Sequence, residues 1–140
     1  MNIWIKTAVW LLCILLSNSL NQPVYGKEHA YKPVIAVDLD GVLNNYTKYE
    51  ENNIPEIKAG AEEFIKELHK KGYKLVLFTN RKPFNASKWL IENKLDKYFS
   101  DVTNVKPIAS IYIDDRALNF RGDYNQTLAE IENFNVYWKK

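Results

Sequence analysis

One short stretch constrains the fold of this chain more than any other: an apolar run that ends in two acids and a glycine. Residues 34–37 read Val-Ile-Ala-Val, and Asp38, Leu39, Asp40 and Gly41 follow them. An apolar run without alternation is typical of a strand that is buried on both faces, as in the middle of a parallel sheet. Ligands of open α/β sheets bind just beyond the carboxyl ends of such strands. Two acids at that point repel each other unless a cation or a shared proton compensates, so the stretch predicts a functional site.

Length and composition exclude several classes of protein. The chain has 140 residues, which is enough for one domain with a core and too few for two. With 46% hydrophobic and 26% charged residues it is not a disordered chain, and a net charge of +2 gives no sign of dedicated nucleic-acid binding. The single cysteine, Cys13, rules out a disulfide or a cysteine-ligated zinc site within one chain.

The first 26 residues differ from the rest of the chain. Residues 7–16 form an apolar run that is too short for a membrane span of about 20 residues, but that suits the core of a signal peptide. Gly26 is a small residue at a suitable cleavage position. We therefore expect residues 1–26 to be a signal peptide or an N-terminal anchor, and residues 27–140 to form the domain, with no membrane span in its mature form. Export to the periplasm or the medium follows from a signal peptide; a membrane-anchored or cytoplasmic protein is the alternative.

The remaining pattern alternates strands with helices. Residues 60–72 give the clearest helix, in which Ala61, Phe64, Ile65 and Leu68 form one apolar stripe. Further elements are predicted as strands at 74–78, 101–103 and 108–113, a helix capped by Asn85 that runs to about Asn93, and a last helix at 123–133. Residues 44–58 have no helical period and predict a loop or small hairpin over the end of the first strand. Strand, helix and strand in this order predict an α/β fold with a doubly wound, Rossmann-like parallel sheet.

Polar residues follow three of the predicted strands, and their carboxyl ends lie side by side in a parallel sheet. These residues are Asp38 and Asp40, Thr79 and Asn80, and Asp114 and Asp115, with Lys106 just before the last strand. Ligands that are all oxygen suit Mg²⁺ rather than zinc. A carboxylate can attack phosphorus, and a second acid can protonate the leaving oxygen. A hydroxyl and a lysine suit phosphoryl oxygens, so the set indicates phosphoryl transfer.

The order of these motifs resembles the haloacid dehalogenase (HAD) superfamily of phosphatases. The resemblance covers residues 33–120, with Val-Asp-Leu-Asp-Gly-Val at 37–42, Leu-Phe-Thr-Asn at 77–80, Lys-Pro at 106–107 and Ile-Asp-Asp at 113–115. It implies a Mg²⁺-dependent phosphatase that works through an aspartyl-phosphate on a phosphorylated substrate.

The resemblance also implies a role for each matching residue. Asp38 would be the nucleophile and Asp40 the general acid/base, while Thr79, Asn80 and Lys106 would bind the substrate phosphate. The metal would be held by Asp38, by the backbone carbonyl of Asp40, by Asp114, and by Asp115 directly or through water.

Many HAD enzymes carry a cap domain after the first or second motif, and this chain has no room for one. Only 38 residues separate Asp40 from Thr79, and only 26 separate Thr79 from Lys106. The predicted loop, helices and short strand account for both intervals. We therefore expect a capless member whose open site admits larger phosphorylated partners or is covered by neighbouring subunits in an oligomer.

Alternative interpretations of the acids were weighed against this one. An EF-hand loop that starts at Asp38 fails, because Leu43 and Tyr49 stand where glycine and glutamate are required. A receiver-like phospho-accepting domain uses similar residues in another order. A catalytically silent phospho-ligand binder stays open as a different class of function, although both acids of the first motif are present. Arg81, Lys82 and Arg116 either contact the substrate's charge or are solvated.

Overall fold

The first apolar run forms an inner strand of a four-stranded parallel sheet in the computed structural model, which describes residues 32–139. The strands are β1 (Val34–Val37), β2 (Lys74–Phe78), β3 (Phe99–Thr103) and β4 (Ile111–Ile113). The helices are α1 (Ala61–Lys70), α2 (Pro83–Glu92) and α3 (Tyr124–Glu132), with a 3₁₀ turn at Asp96–Tyr98. Within this part of the chain no helix is long and apolar enough to cross a membrane. The predicted signal peptide or anchor lies outside the described residues.

The sheet has the strand order β3-β2-β1-β4, and every pairing is parallel. The chain moves outward from β1 to β3 and then returns to place β4 on the other side of β1. This reversal is the arrangement of a doubly wound sheet, and the crevice beside β1 is where such sheets bind ligands. The predicted fold class is therefore confirmed, with one capless α/β domain.

The register brings the ends of three strands level. Val37 of β1 pairs with Leu77 of β2 and with Ile113 of β4. Asp38 continues the ladder, because its N–H donates to the carbonyl of Ile113 at 2.9 Å. The polar residues that follow β1, β2 and β4 consequently meet at one edge of the sheet.

The core lies around β1 and β2 and is closed by the helices. Ile65 of α1 and Trp89 of α2 are both buried against it. Trp89 also donates its Nε1–H to the carbonyl of Pro55 at 2.8 Å, which holds the loop between β1 and α1 against α2. Of the predicted α1 stripe, Phe64 remains partly exposed, whereas Leu68 packs against the core.

The loop at residues 44–58 contains the small hairpin that the sequence allowed. Asn44 forms an isolated antiparallel bridge with Ile57, and the N–H of Asn45 donates to the carbonyl of Glu56 at 3.0 Å. Asn44 is completely buried at the end of this bridge. The loop is therefore fixed to the end of β1 through its first residues.

Three element boundaries differ from those predicted. Helix α2 begins at Pro83 and has no side-chain cap, so the predicted cap at Asn85 is wrong; proline is favoured at the first helical position because its missing N–H is not needed there. Strand β3 starts earlier, at Phe99. Strand β4 is shorter than predicted, because only Ile111–Ile113 pair with β1, and Ile108 is 94% exposed.

Helix α3 has its predicted limits within one residue. Asp123 caps it, since its Oδ1 accepts the N–H groups of Asn125 at 2.8 Å and Gln126 at 3.0 Å. The predicted apolar face of this helix, which includes Tyr124 and Leu128, is exposed within the described part of the chain.

Candidate active site

Three acids from the ends of β1 and β4 meet at the edge of the sheet. Asp38, Asp114 and Asp115 each offer one carboxylate oxygen, and these oxygens all lie within 4.8 Å of one another. We call these three residues the acidic cluster. Its members come together because β1 and β4 are neighbours whose last residues pair. The sequence predicted this meeting of residues that are far apart in the chain.

Asp38 is an unusual carboxyl group within the acidic cluster. Burial, and after it the negative charges of Asp114, Asp40 and Asp115, raise its pKa from 3.8 to about 7. A hydrogen bond from the N–H of Leu39 to Oδ1, at 2.7 Å, acts in the opposite direction. Without a compensating cation, Asp38 is therefore largely protonated below neutral pH.

Asp115 is held on one of its two oxygens. Its Oδ2 accepts a hydrogen bond from the indole Nε1–H of Trp138. Its Oδ1 is buried and has no hydrogen-bond partner in the described part of the chain, although the Nε of Arg116 lies 3.6 Å away. A buried carboxylate oxygen without a donor is costly unless something compensates, and a cation is a suitable partner.

Asp40 has different surroundings from Asp38, although only one residue separates them. The Nε–H of Arg81 approaches both of its carboxylate oxygens, at 3.0 and 2.8 Å, and the Nδ2 of Asn44 donates to Oδ1 at 2.8 Å. The side chain of Asp40 is not part of the acidic cluster. With its side chain held in this way, Asp40 would offer a metal only its backbone carbonyl. That contact remains a prediction.

Arg81 was expected either to contact the substrate's charge or to be solvated, and the structure contradicts a solvated position. The residue is 2% exposed, and its Nη1 also donates to the carbonyls of Glu50 at 2.8 Å and Asn53 at 3.3 Å. It therefore connects the acid of the first motif to the loop at residues 44–58. The sequence analysis did not predict the roles of Arg81 and Asn44. The available signal was that an acid at the end of a buried strand, such as Asp40, requires hydrogen-bond donors nearby.

The residues predicted to bind phosphate occupy different positions. Thr79 is 2% exposed at the end of β2, where its Oγ1 accepts the N–H of Arg81 at 3.3 Å. Asn80 is exposed. Lys106 is also exposed, with its Nζ 4.8 Å from the ring centroid of Tyr112, and it forms no ion pair with an acid of residues 32–139. The structure thus brings Thr79 to the strand ends but does not bring Lys106 into contact with the acids.

A cleft of about 670 Å³ opens on the β4 side of the acidic cluster. Asp114 and Lys106 both line it, together with the aromatic ring of Phe78. The phosphate-binding roles of Thr79, Asn80 and Lys106 stay predictions, and this cleft is the space that Lys106 shares with Asp114 of the cluster.

Gly41 follows the two acids with a positive φ of 83°. A Cβ atom at this position would lie 2.4 Å from Oδ2 of Asp115 and 2.9 Å from Nε1 of Trp138. No side chain fits in that space without displacing Asp115. Glycine is therefore required here both for the backbone conformation and for the close approach of β4's acids to β1.

Comparisons with known proteins agree with this geometry. A family model described as haloacid dehalogenase-like hydrolase matches residues 6–114. A solved structure described as a conserved protein from Bacteroides thetaiotaomicron is similar, with 23% sequence identity and a TM-score of 0.51, over 73% of this chain and 91% of that chain. At that identity the likeness concerns the fold alone. A comparison with curated proteins finds no match.

Proposed function

The chain belongs to the haloacid dehalogenase-like hydrolases, and from this premise we propose that it is a Mg²⁺-dependent phosphatase. The observation that supports the proposal most is the acidic cluster, in which oxygens of Asp38, Asp114 and Asp115 lie within 4.8 Å of one another at the end of the sheet. Function depends on the site rather than on the fold, and this site has the residues that phosphoryl transfer requires.

The residues present fit a magnesium ion. All available donors are oxygens, as this hard cation prefers. The buried Oδ1 of Asp115 has no hydrogen-bond donor among residues 32–139, and a cation would offset the burial and the neighbouring negative charges that raise the pKa of Asp38. Asp38, the carbonyl of Asp40, Asp114 and Asp115 would hold the ion. When bound, it would neutralise the charge of the phosphoryl oxygens as they approach these acids.

The two acids of the first motif would divide the chemistry. An oxygen of Asp38 attacks phosphorus, and the bond from phosphorus to the ester oxygen breaks while Asp40 gives that oxygen a proton. Water then attacks the aspartyl-phosphate on Asp38, and Asp40 accepts a proton from it. The products are an alcohol and inorganic phosphate, and both acids return to their starting states.

The two acids have different surroundings. Asp38 lies in the acidic cluster, whereas Asp40 is turned towards Arg81 and Asn44. Thr79, Asn80 and Lys106 would bind the phosphoryl oxygens, from the end of β2 and from the cleft beside Asp114. A catalytically silent binder is a weaker alternative, because both acids that catalysis needs are present.

The test is phosphatase activity of the purified full chain against a broad panel of phosphoesters. Activity should require Mg²⁺, disappear in EDTA, and fall strongly in Asp114→Asn. The matched control is Asp101→Asn, which changes an exposed acid on β3 and should leave activity unchanged. Full turnover in EDTA, or an Asp114→Asn variant as active as the wild type, would contradict the proposal.

A further inference from the structure

The segment that follows α3 returns to the acidic cluster and contacts it through two adjacent aromatic residues. The hydroxyl of Tyr137 donates to the carbonyl of Gly41, and the indole N–H of Trp138 donates to Oδ2 of Asp115. Neither aromatic residue belongs to the four motifs. Two sides of the site, the loop after β1 and the acids after β4, are thus contacted by neighbouring residues of one segment.

Side chains from elsewhere in the chain hold this aromatic pair in place. The ring of Tyr46 meets the edge of Trp138 with centroids 5.1 Å apart, and the guanidinium of Arg116 lies 5.4 Å from the centroid of Trp138. Lys58 donates its Nζ–H to the hydroxyl of Tyr137 and lies 4.1 Å from the centre of that ring. The contacts to the aromatic pair come from two parts of the fold, the loop after β1 and the residues after β4.

The contact between Trp138 and Asp115 fixes the orientation of the carboxylate. An indole N–H can only donate, and a carboxylate can only accept. Oδ2 is occupied by Trp138, whereas Oδ1 is buried without a hydrogen-bond partner among residues 32–139 and lies 3.6 Å from the Nε of its ion-pair partner Arg116. Without the indole, the carboxylate could rotate away from this orientation, and neither oxygen would be held where Oδ1 now lies.

We propose that Trp138 is a positioning residue for the metal site: its indole N–H holds Oδ2 of Asp115 and thereby fixes the carboxylate in the orientation in which Oδ1 is available to the cation. The inference rests on the proposed Mg²⁺ site but not on the proposed phosphatase reaction. Partners that orient a metal ligand typically change metal affinity about 10- to 100-fold when they are removed. Trp138 acts through Asp115 and does not itself contact the substrate or the metal.

The first test is metal binding without any phosphoester. Trp138→Phe keeps an aromatic ring against Tyr46 but removes the N–H. Titration of the full chain with Mn²⁺, followed by electron paramagnetic resonance, should show a Kd raised about tenfold or more relative to the wild type. Tyr124→Phe, on α3, is the control and should bind Mn²⁺ like the wild type. A wild-type Kd in Trp138→Phe would overturn the inference.

The second test uses the wild-type chain, so that it holds even where Trp138→Phe fails to fold. In a ¹⁵N-labelled sample the indole N–H of Trp138 should exchange slowly with solvent, and its resonance should shift when Mg²⁺ is added. An indole proton that exchanges freely and does not respond to Mg²⁺ would contradict the inference. A chain that passes both tests but hydrolyses no phosphoester would refute the proposed function alone.

Discussion

At the scale of single residues, the two acids at the end of β1 have very different surroundings. Asp38 is partly buried among other acids, whereas Asp40 is paired with a buried guanidinium. The sequence predicted that both acids lie at the end of β1, because the apolar run before them indicates a buried strand. It did not predict the partner of Asp40, because pairing with Arg81, 41 positions away, depends on side-chain directions that no local pattern specifies.

Removal of Arg81 should destabilise the protein strongly. Its ion pair with Asp40 is almost fully buried, and a charge left without its partner in such a place costs about 3 to 5 kcal/mol of the free energy of unfolding. Urea unfolding of Arg81→Ala should show this loss. Lys82→Ala is the neighbouring control, since its ion pair with Glu51 is exposed, and it should unfold like the wild type. Equal stability of the two variants would show that the buried pair contributes little.

The raised pKa of Asp38 predicts how the metal-free protein responds to pH. The folded state holds a proton on Asp38 between the unfolded value of 3.8 and the folded value of about 7, so it binds more protons than the unfolded state. Asp38 therefore costs the folded state increasing free energy as the pH rises from about 4 to about 7. At about 1.4 kcal/mol per pKa unit, the effect amounts to a few kcal/mol.

This pH dependence is measured by thermal unfolding in EDTA. Relative to Asp38→Asn, the wild type should become less stable between pH 4 and pH 8, and Mg²⁺ should restore its stability at pH 8. A difference in stability between the two proteins that stays constant over this pH range would contradict the raised pKa of Asp38. The comparison with the variant removes the contribution of the other carboxylates.

At the scale of elements, the sequence predicted best what local periodicity determines. The limits of β2 agree with the prediction, and those of α1 and α3 do within one or two residues, because apolar runs and stripes mark them. The start of α2 was wrong, since Pro83 rather than the Asn85 side chain sets it. The contact of Trp138 with Asp115, which follows β4, was not predictable, because the sequence after α3 has the period of neither a strand nor a helix.

The loop between β1 and the hairpin should tolerate no side chain at Gly41. Gly41→Ala would strain a positive φ and would also force a Cβ against Asp115 and Trp138. Gly122→Ala is a matched control, since Gly122 has a φ of 88° and open space around it. Both variants should lose about 1 to 2 kcal/mol of stability through backbone strain.

Only Gly41→Ala should additionally lose metal binding and phosphatase activity, because only its new methyl group displaces an acid of the cluster. Mn²⁺ titration and activity assays of the two variants measure this difference. Two results would contradict this explanation of Gly41. Either Gly122→Ala would impair metal binding and activity as severely, or Gly41→Ala would impair neither of them.

At the scale of the whole molecule, the site lies at the reversal point of a small doubly wound sheet, and residues 32–139 include no cap domain. The meeting of the strand ends was predictable, because parallel strands end at one edge of the sheet, whereas the strand order was not predicted. The predicted site fits this outline: the acids meet in the structure, whereas Lys106 lies against Tyr112 at the side of an open cleft. The position of Lys106 depends on the loop before β4, and that loop has no periodic sequence pattern from which it could be predicted.

The measurement that tests the account most directly is the location of a phosphoryl group trapped on the enzyme. The full chain is incubated with an aryl phosphate and Mg²⁺, quenched in acid, and mapped by peptide mass spectrometry. We expect an acid-stable, hydroxylamine-sensitive phosphoryl group on Asp38, absent in EDTA and in Asp38→Asn. Asp101→Asn is the matched control, because Oδ1 of Asp101 accepts the next N–H just as that of Asp38 does, and it should still be labelled. A phosphoryl group on another residue, or undiminished turnover by Asp38→Asn, would contradict the account.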